Sequence, residues 1–203
     1  MFERRVLSAV FAAALCSIAL TAALPACAQD MLYNNGPDGD VGYYHVNFGA
    51  VVVNSFVLTR DATVTSVNFT VYDVDDANTP LRVLWRITTQ PFGGQVMGEG
   101  FVPLTLLQDP YPTKFQFFAW PVGFNTPNIS LSAGTYYLQL QDVVTFFDTW
   151  AFWAQSSGGS SQAYYEPIAG NGAGGISQVP SEAFAILGQW SSAQPSEARP
   201  ERE

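Results

Sequence analysis

A period of two runs through the middle of this chain and constrains it more than any other feature. In Thr65–Tyr72, Val67, Phe69 and Val71 alternate with Ser66, Asn68 and Thr70. In Leu81–Ile87 the odd positions are apolar, while Arg82 and Arg86 share the other face. Successive side chains of a strand point to opposite faces, so this pattern specifies half-buried strands of an antiparallel sheet with one wet face. No window in the middle of the chain carries a helical stripe. Further strands are expected at Met31–Asn34, Tyr43–Phe48, Ser55–Leu58, Gln95–Phe101, Lys114–Trp120, Thr135–Gln141, Trp150–Gln155, Gln162–Glu166 and Ala183–Leu187. Turn signals stand between them at 35–39, 75–80, 91–94 and 132–134, with Gly supplying positive φ and Asn, Asp and Pro fixing tight turns. The expected fold is all-β: a single antiparallel two-sheet β-sandwich, jelly-roll-like, over residues 29–190. Small-residue loops are expected at 156–161 and 169–175.

Both ends read differently. Residues 1–28 have the form of a signal peptide: Arg4 and Arg5, an uncharged apolar run from Val6 to Leu20, then Ala26-Cys27-Ala28 before Gln29. A second reading of the same end takes Leu24-Pro25-Ala26-Cys27 as a lipobox with Cys27 lipidated. Residues 191–203 lack apolar periodicity, contain two prolines and alternate in charge, the pattern of a disordered polar tail. The expected location is secreted, periplasmic or cell-surface, with no transmembrane span in the mature chain.

Composition then removes chemistries. Of 203 residues, 48 % are hydrophobic and 12 % charged, enough apolar material for a packed core. A formal charge of −9 opposes nucleic-acid binding, which needs clustered Lys and Arg. The two cysteines, Cys16 and Cys27, both fall in the signal segment, so the exported domain has no disulfide or thiolate chemistry. His45 is the one histidine and no Gly-x-Ser-x-Gly elbow occurs, which disfavours a catalytic triad and imidazole-based zinc sites. Glycoside hydrolysis needs only two carboxylates across a groove, but Glu99, Asp109, Asp142, Asp148, Glu166 and Glu182 show no spacing that aims a pair at one cleft.

Two binding chemistries remain as candidates. Asp38-Gly39-Asp40 and Asp73, Asp75 and Asp76 put hard oxygen ligands on tight loops, as calcium requires; acidic β-turns explain the same residues, and Ala77 interrupts the ligand alternation. Aromatic residues make up 14 % of the chain and occupy both faces of several strands. Trp120, Tyr137 and Trp153 are candidates for a platform that stacks on sugar rings; the alternative is that loops cover the second face and both faces are core.

Ser55-Phe56-Val57-Leu58 followed by Ala62–Val67, the strand Leu131-Ser-Ala-Gly-Thr-Tyr-Tyr-Leu-Gln-Leu140, and the closing Pro180–Gly188 together resemble secreted bacterial β-sandwich proteins that often carry PEP-CTERM or related sorting anchors. The resemblance implies export and a surface or matrix setting, and brings no catalytic motif. The Pro-Glu-Pro signal and its apolar span are missing from this sequence. The expected function is therefore contact, by an exported non-enzymatic sandwich of the bacterial envelope or extracellular matrix. Carbohydrate binding is the alternative and glycoside hydrolysis the third reading, with an extracellular glycan or another surface protein as partner.

Overall fold

A computed structural model describes residues 29–167 and 175–192. The expected signal segment 1–28 with Cys27, most of the expected loop 169–175 and all but the first two residues of the expected tail 191–203 lie outside the described residues. Two antiparallel sheets pack face to face, as the alternation requires, and no helix occurs among the described residues.

The first sheet is organised by β4 (Ala62–Asp73), which is paired along both edges. On one side it meets β9 (Phe118–Leu131). On the other it meets β14 (Phe184–Trp190) over Ala62–Phe69 and then β11 (Ala151–Ser156) over Val71–Asp73. β1 (Asp30–Asn34) flanks β14 and β2 (Asp38–His45) flanks β11. Two short strands, β7 (Thr105–Leu106) and β8 (Tyr111–Pro112), pair with the far edge of β9. The second sheet runs in the order β13 (Ser177–Val179), β12 (Ala163–Glu166), β3 (Val51–Leu58), β10 (Gly134–Thr145), β5 (Pro80–Thr88), β6 (Val96–Pro103).

The core lies between the sheets. Val67, Phe69 and Val71 of β4 face Val83, Trp85 and Ile87 of β5 and Leu138 and Leu140 of β10 within one buried cluster. A bulge at Thr65, seen against both β9 and β14, resets the alternation so that Val64 also points inward. Edge strand β6 crosses Trp85 with glycines: a Cβ on Gly100 would stand 3.1 Å from the Trp85 indole nitrogen, and one on Gly98 only 2.6 Å from Ile129. Close approach of the backbone to the Trp85 ring and the Ile129 side chain explains Gly here, rather than a turn.

Two expectations need correction. Lys114–Trp120 is not one strand. Gln116 takes φ 65°, Thr113 N–H donates to Phe117 C=O at 2.8 Å, and the strand starts only at Phe118. The turn folds Phe115 and Phe117 back over the outer face of the first sheet, where they meet Tyr43, Tyr72 and Phe152 in a second buried aromatic cluster. Loops thus cover part of the second face. β9 runs on through Pro121, Gly123 and Pro127 to Leu131; β7 and β8 pair with only short stretches of its outer edge, where proline is tolerated. Finally, Asp38 and Gly39 belong to β2 and not to the preceding turn.

One polar contact clamps the sheets together. Asn54 of β3 donates to a Glu182 carboxylate oxygen at 2.7 Å and accepts from the Glu182 N–H at 3.1 Å. Glu182 itself bridges to Gln155 of β11, so this amide ties one sheet to the other. Both residues are fully buried, and the second Glu182 oxygen, Oε1, has no partner among the described residues. Burial pushes the Glu182 carboxyl up to about 8, against the opposing bond from Asn54. The folded state therefore holds a proton that the unfolded chain has already lost above its ordinary value near 4.5. Stability from this group is fully present below about 4.5 and drains away as pH rises toward about 8.

Two outcomes follow from this core. Trp153, fully buried with its indole N–H bonded to the Ala183 carbonyl at 2.9 Å, should cost about 3–5 kcal/mol when replaced by Ala, read as a lowered midpoint in urea unfolding. Glu182→Gln should melt above the parent at pH 8, and the gap should narrow as pH falls to 5; parallel Tm profiles would show that Glu182 does not titrate on unfolding.

Candidate functional site

At one end of the sandwich three loops converge: 46–50 between β2 and β3, 74–79 between β4 and β5, and 146–150 between β10 and β11. Their backbones are bound by a buried polar network. Asn47 donates to the Thr149 carbonyl at 2.7 Å and accepts from the Ala151 N–H at 3.2 Å. Asn78, fully buried, donates to an Asp73 oxygen at 2.8 Å and to the Thr149 hydroxyl, and accepts from the Phe147 N–H at 2.6 Å. The Thr149 hydroxyl in turn bonds Asp73. Burial raises the Asp73 carboxyl above the usual carboxylate range, while its bonds to Asn78, the Asp75 N–H and Thr149 act the other way.

On this base the loop tips present aromatic rings to solvent. Phe146 (64 % exposed) and Phe147 (53 %) are the central residues of a turn closed by Asp148 N–H to Thr145 C=O at 3.2 Å. Phe48 (42 %) precedes Gly49 in a second tight turn, both with positive φ. A bulky residue in the left-handed region costs of order 1–3 kcal/mol and survives only where neighbours hold it; here Ala50 N–H to Asn47 C=O at 3.1 Å closes the turn. Trp150 (47 %) stands edge-on to Phe48 at 5.3 Å and to His45 at 4.4 Å. Burial lowers the His45 pKa, and its Nδ1 has no partner among the described residues, so the imidazole is a neutral packing element. The same loops carry Asp75, Asp76 and Asp148 and not one Lys or Arg, and Asp142 of β10 reaches them by accepting from the Gly49 N–H at 3.3 Å. The end is apolar at its tips and acidic around them.

The residues singled out from sequence fall elsewhere. Trp120 (3 % exposed) and Trp153 (0 %) are core, and Tyr137 is half-buried on the other sheet, so the three rings form no common platform. Of the acidic residues, Asp38 accepts from the Tyr72 and Tyr111 hydroxyls and from the Asp40 N–H. Burial and the Asp38 charge push Tyr111 up to about 12. Asp40 accepts from the Lys114 N–H at 2.9 Å, and Asp73 is engaged as described. Asp75 caps the Ala77 N–H at 2.9 Å in an Asx turn, and Asp76 is exposed beside it. No group of three or more potential ligands is gathered around one point among the described residues. Of the carboxylates weighed for hydrolysis, Glu99 pairs with Arg86 on the surface at 2.8 Å and Glu182 is buried in the clamp.

Sequence reasoning missed Phe48, Phe146, Phe147 and Trp150. Adjacent Phe146 and Phe147 gave a weak signal, since neighbours in a strand cannot both face one core; Trp150 was read as the start of a strand that in fact begins one residue later. The engagement of Asp38 and Asp73 by protein donors predicts coincident melting curves in millimolar calcium and in chelator; a calcium-dependent rise in Tm would instead establish a cation site. No protein-family model matches the chain, and no curated protein matches its sequence.

Proposed function

We propose that this is an exported, non-enzymatic contact protein of the bacterial envelope or extracellular matrix, and that it contacts its partner through the aromatic end. The observation that carries this reading is the set of four exposed rings, Phe48, Phe146, Phe147 and Trp150, mounted on a buried hydrogen-bonded base. Large apolar side chains gathered at one place on a surface mark interaction sites, and aromatic residues dominate the energetics of interface centres. Preorganised loops reduce the ordering cost of association.

Charge narrows the partner. With Asp75, Asp76, Asp142 and Asp148 around the rings and no cation among them, the end repels anionic lipid and nucleic acid. A surface protein with an apolar centre and a basic rim is the complementary shape.

The test is retention of the purified protein on an envelope and matrix preparation from the producing cells. The parent should be retained, and more weakly as salt rises. Replacing Phe146 and Phe147 together with Ser should abolish retention with Tm little changed, since each ring is more than half exposed. Equal retention of parent and variant would overturn the reading. Mass spectrometry of the mature N-terminus tests export directly: a start at Gln29, or at an acylated Cys27, supports it, and an intact Met1 in the cell fraction opposes it.

A further inference from the structure

On the outer face of the first sheet the aromatic cover ends at Tyr72. Beyond it the outward side chains of β4 are Thr70, Asn68 and Ser66, with Gly123 and Asn125 of β9 on one side and Ala185 of β14 on the other. The chain after β7 forms a wall here, held by Leu107 N–H to the Pro121 carbonyl at 2.9 Å. Two open depressions, about 180 Å³ and about 260 Å³, meet at Asn68 and Leu107. The larger is lined by the amides of Gln29, Asn68 and Asn125 and the hydroxyls of Ser66 and Thr105, with no charged side chain. The smaller adds one carboxylate, Asp38, whose oxygens are taken by Tyr72 and Tyr111.

We propose that this groove binds an uncharged oligosaccharide. A sugar offers hydroxyls that both donate and accept, and a side-chain amide does the same from one end. Gln29 is held in place by Thr65 (2.8 Å) and Ser66 (3.1 Å), whereas Asn68 and Asn125 make no side-chain hydrogen bond to another described residue. Two uncommitted amides therefore face the groove. Its floor is kept low by small residues: a Cβ on Gly123 would stand 2.5 Å from the Asn68 amide oxygen. Half-exposed Leu107, between the two depressions, offers an apolar surface to the C–H face of a ring.

The alternatives fit less well. Phosphate and acidic polysaccharide need cations, and none lines the groove. An added peptide strand needs an open sheet edge, but β4, the floor, has both edges paired, so only side chains are offered here. The groove is distinct from the aromatic end, and sugar binding here stands whether or not that end makes the protein contact.

Titration calorimetry of the purified exported protein tests the groove, with cellohexaose, maltohexaose and xylohexaose as probes. Hexagalacturonate serves as the anionic counterpart and an uncharged Gly-Ser-Asn peptide as the extended one. At least one neutral hexasaccharide should bind with a Kd below about 1 mM. Asn68→Ala and the exposed Asn125→Ala should each weaken it about tenfold at unchanged Tm, and Trp150→Ala should leave it unaltered. The proposal is overturned by no binding of the three neutral probes, by equal binding of hexagalacturonate, by binding of the peptide alone, or by loss on Trp150→Ala with Asn125→Ala unaffected.

Discussion

Everything in this fold hangs on β4 having a neighbour along each edge and a core beneath it. Pairing with β9 on one side and with β14 and β11 in succession on the other satisfies its backbone donors and acceptors. That frees its two faces for different uses. Inward residues pack against β5 and β10. Outward residues are covered by aromatic rings at the Tyr72 end and left as amides and hydroxyls at the Ser66 end. A single strand thus sets the core, the second aromatic cluster and the groove, through the period of two alone.

Polar groups buried in the sandwich do what apolar packing cannot, which is to fix loops and sheets in one arrangement. Asn54 reads both a backbone N–H and a carboxyl oxygen of Glu182, and Asn78 holds three partners at once. Each such amide is costly to bury without its partners and specific once they are present. The exposed rings at the loop tips depend on this. Without Asn47 and Asn78 behind them, Phe146, Phe147 and Trp150 would belong to loose loops able to fold back onto the sandwich.

The strands were legible where alternation was clean. Thr65–Tyr72 and Leu81–Ile87 lie inside β4 and β5, and the all-β two-sheet class followed from them. Legibility failed where a local signal was outvoted by tertiary packing. Residues 121–131 lay outside the expected strands, yet β9 runs through Pro121 and Gly123 because it needs little from its outer edge. Phe115 and Phe117 read as strand residues because alternation cannot tell a strand from a turn that throws both rings onto one cluster. The candidate sites fared worse for a related reason. Composition cannot say which tryptophan is outside, and Trp153 and Trp150 differ only in what folds over them.

Edge strand β6 carries a consequence of its own. Its glycines are set by Ile129 and Trp85 beneath, and glycine leaves a flat ribbon that is open to a further strand. Along Val96–Pro103 the sole charge is Glu99, which pairs with Arg86, while Val96 and Phe101 are exposed. Glu99 and the terminal Pro103 are therefore gatekeepers against templated stacking of one molecule on the next. Removing that one carboxylate would leave the ribbon without a charge and its edge open to strand addition by a second molecule.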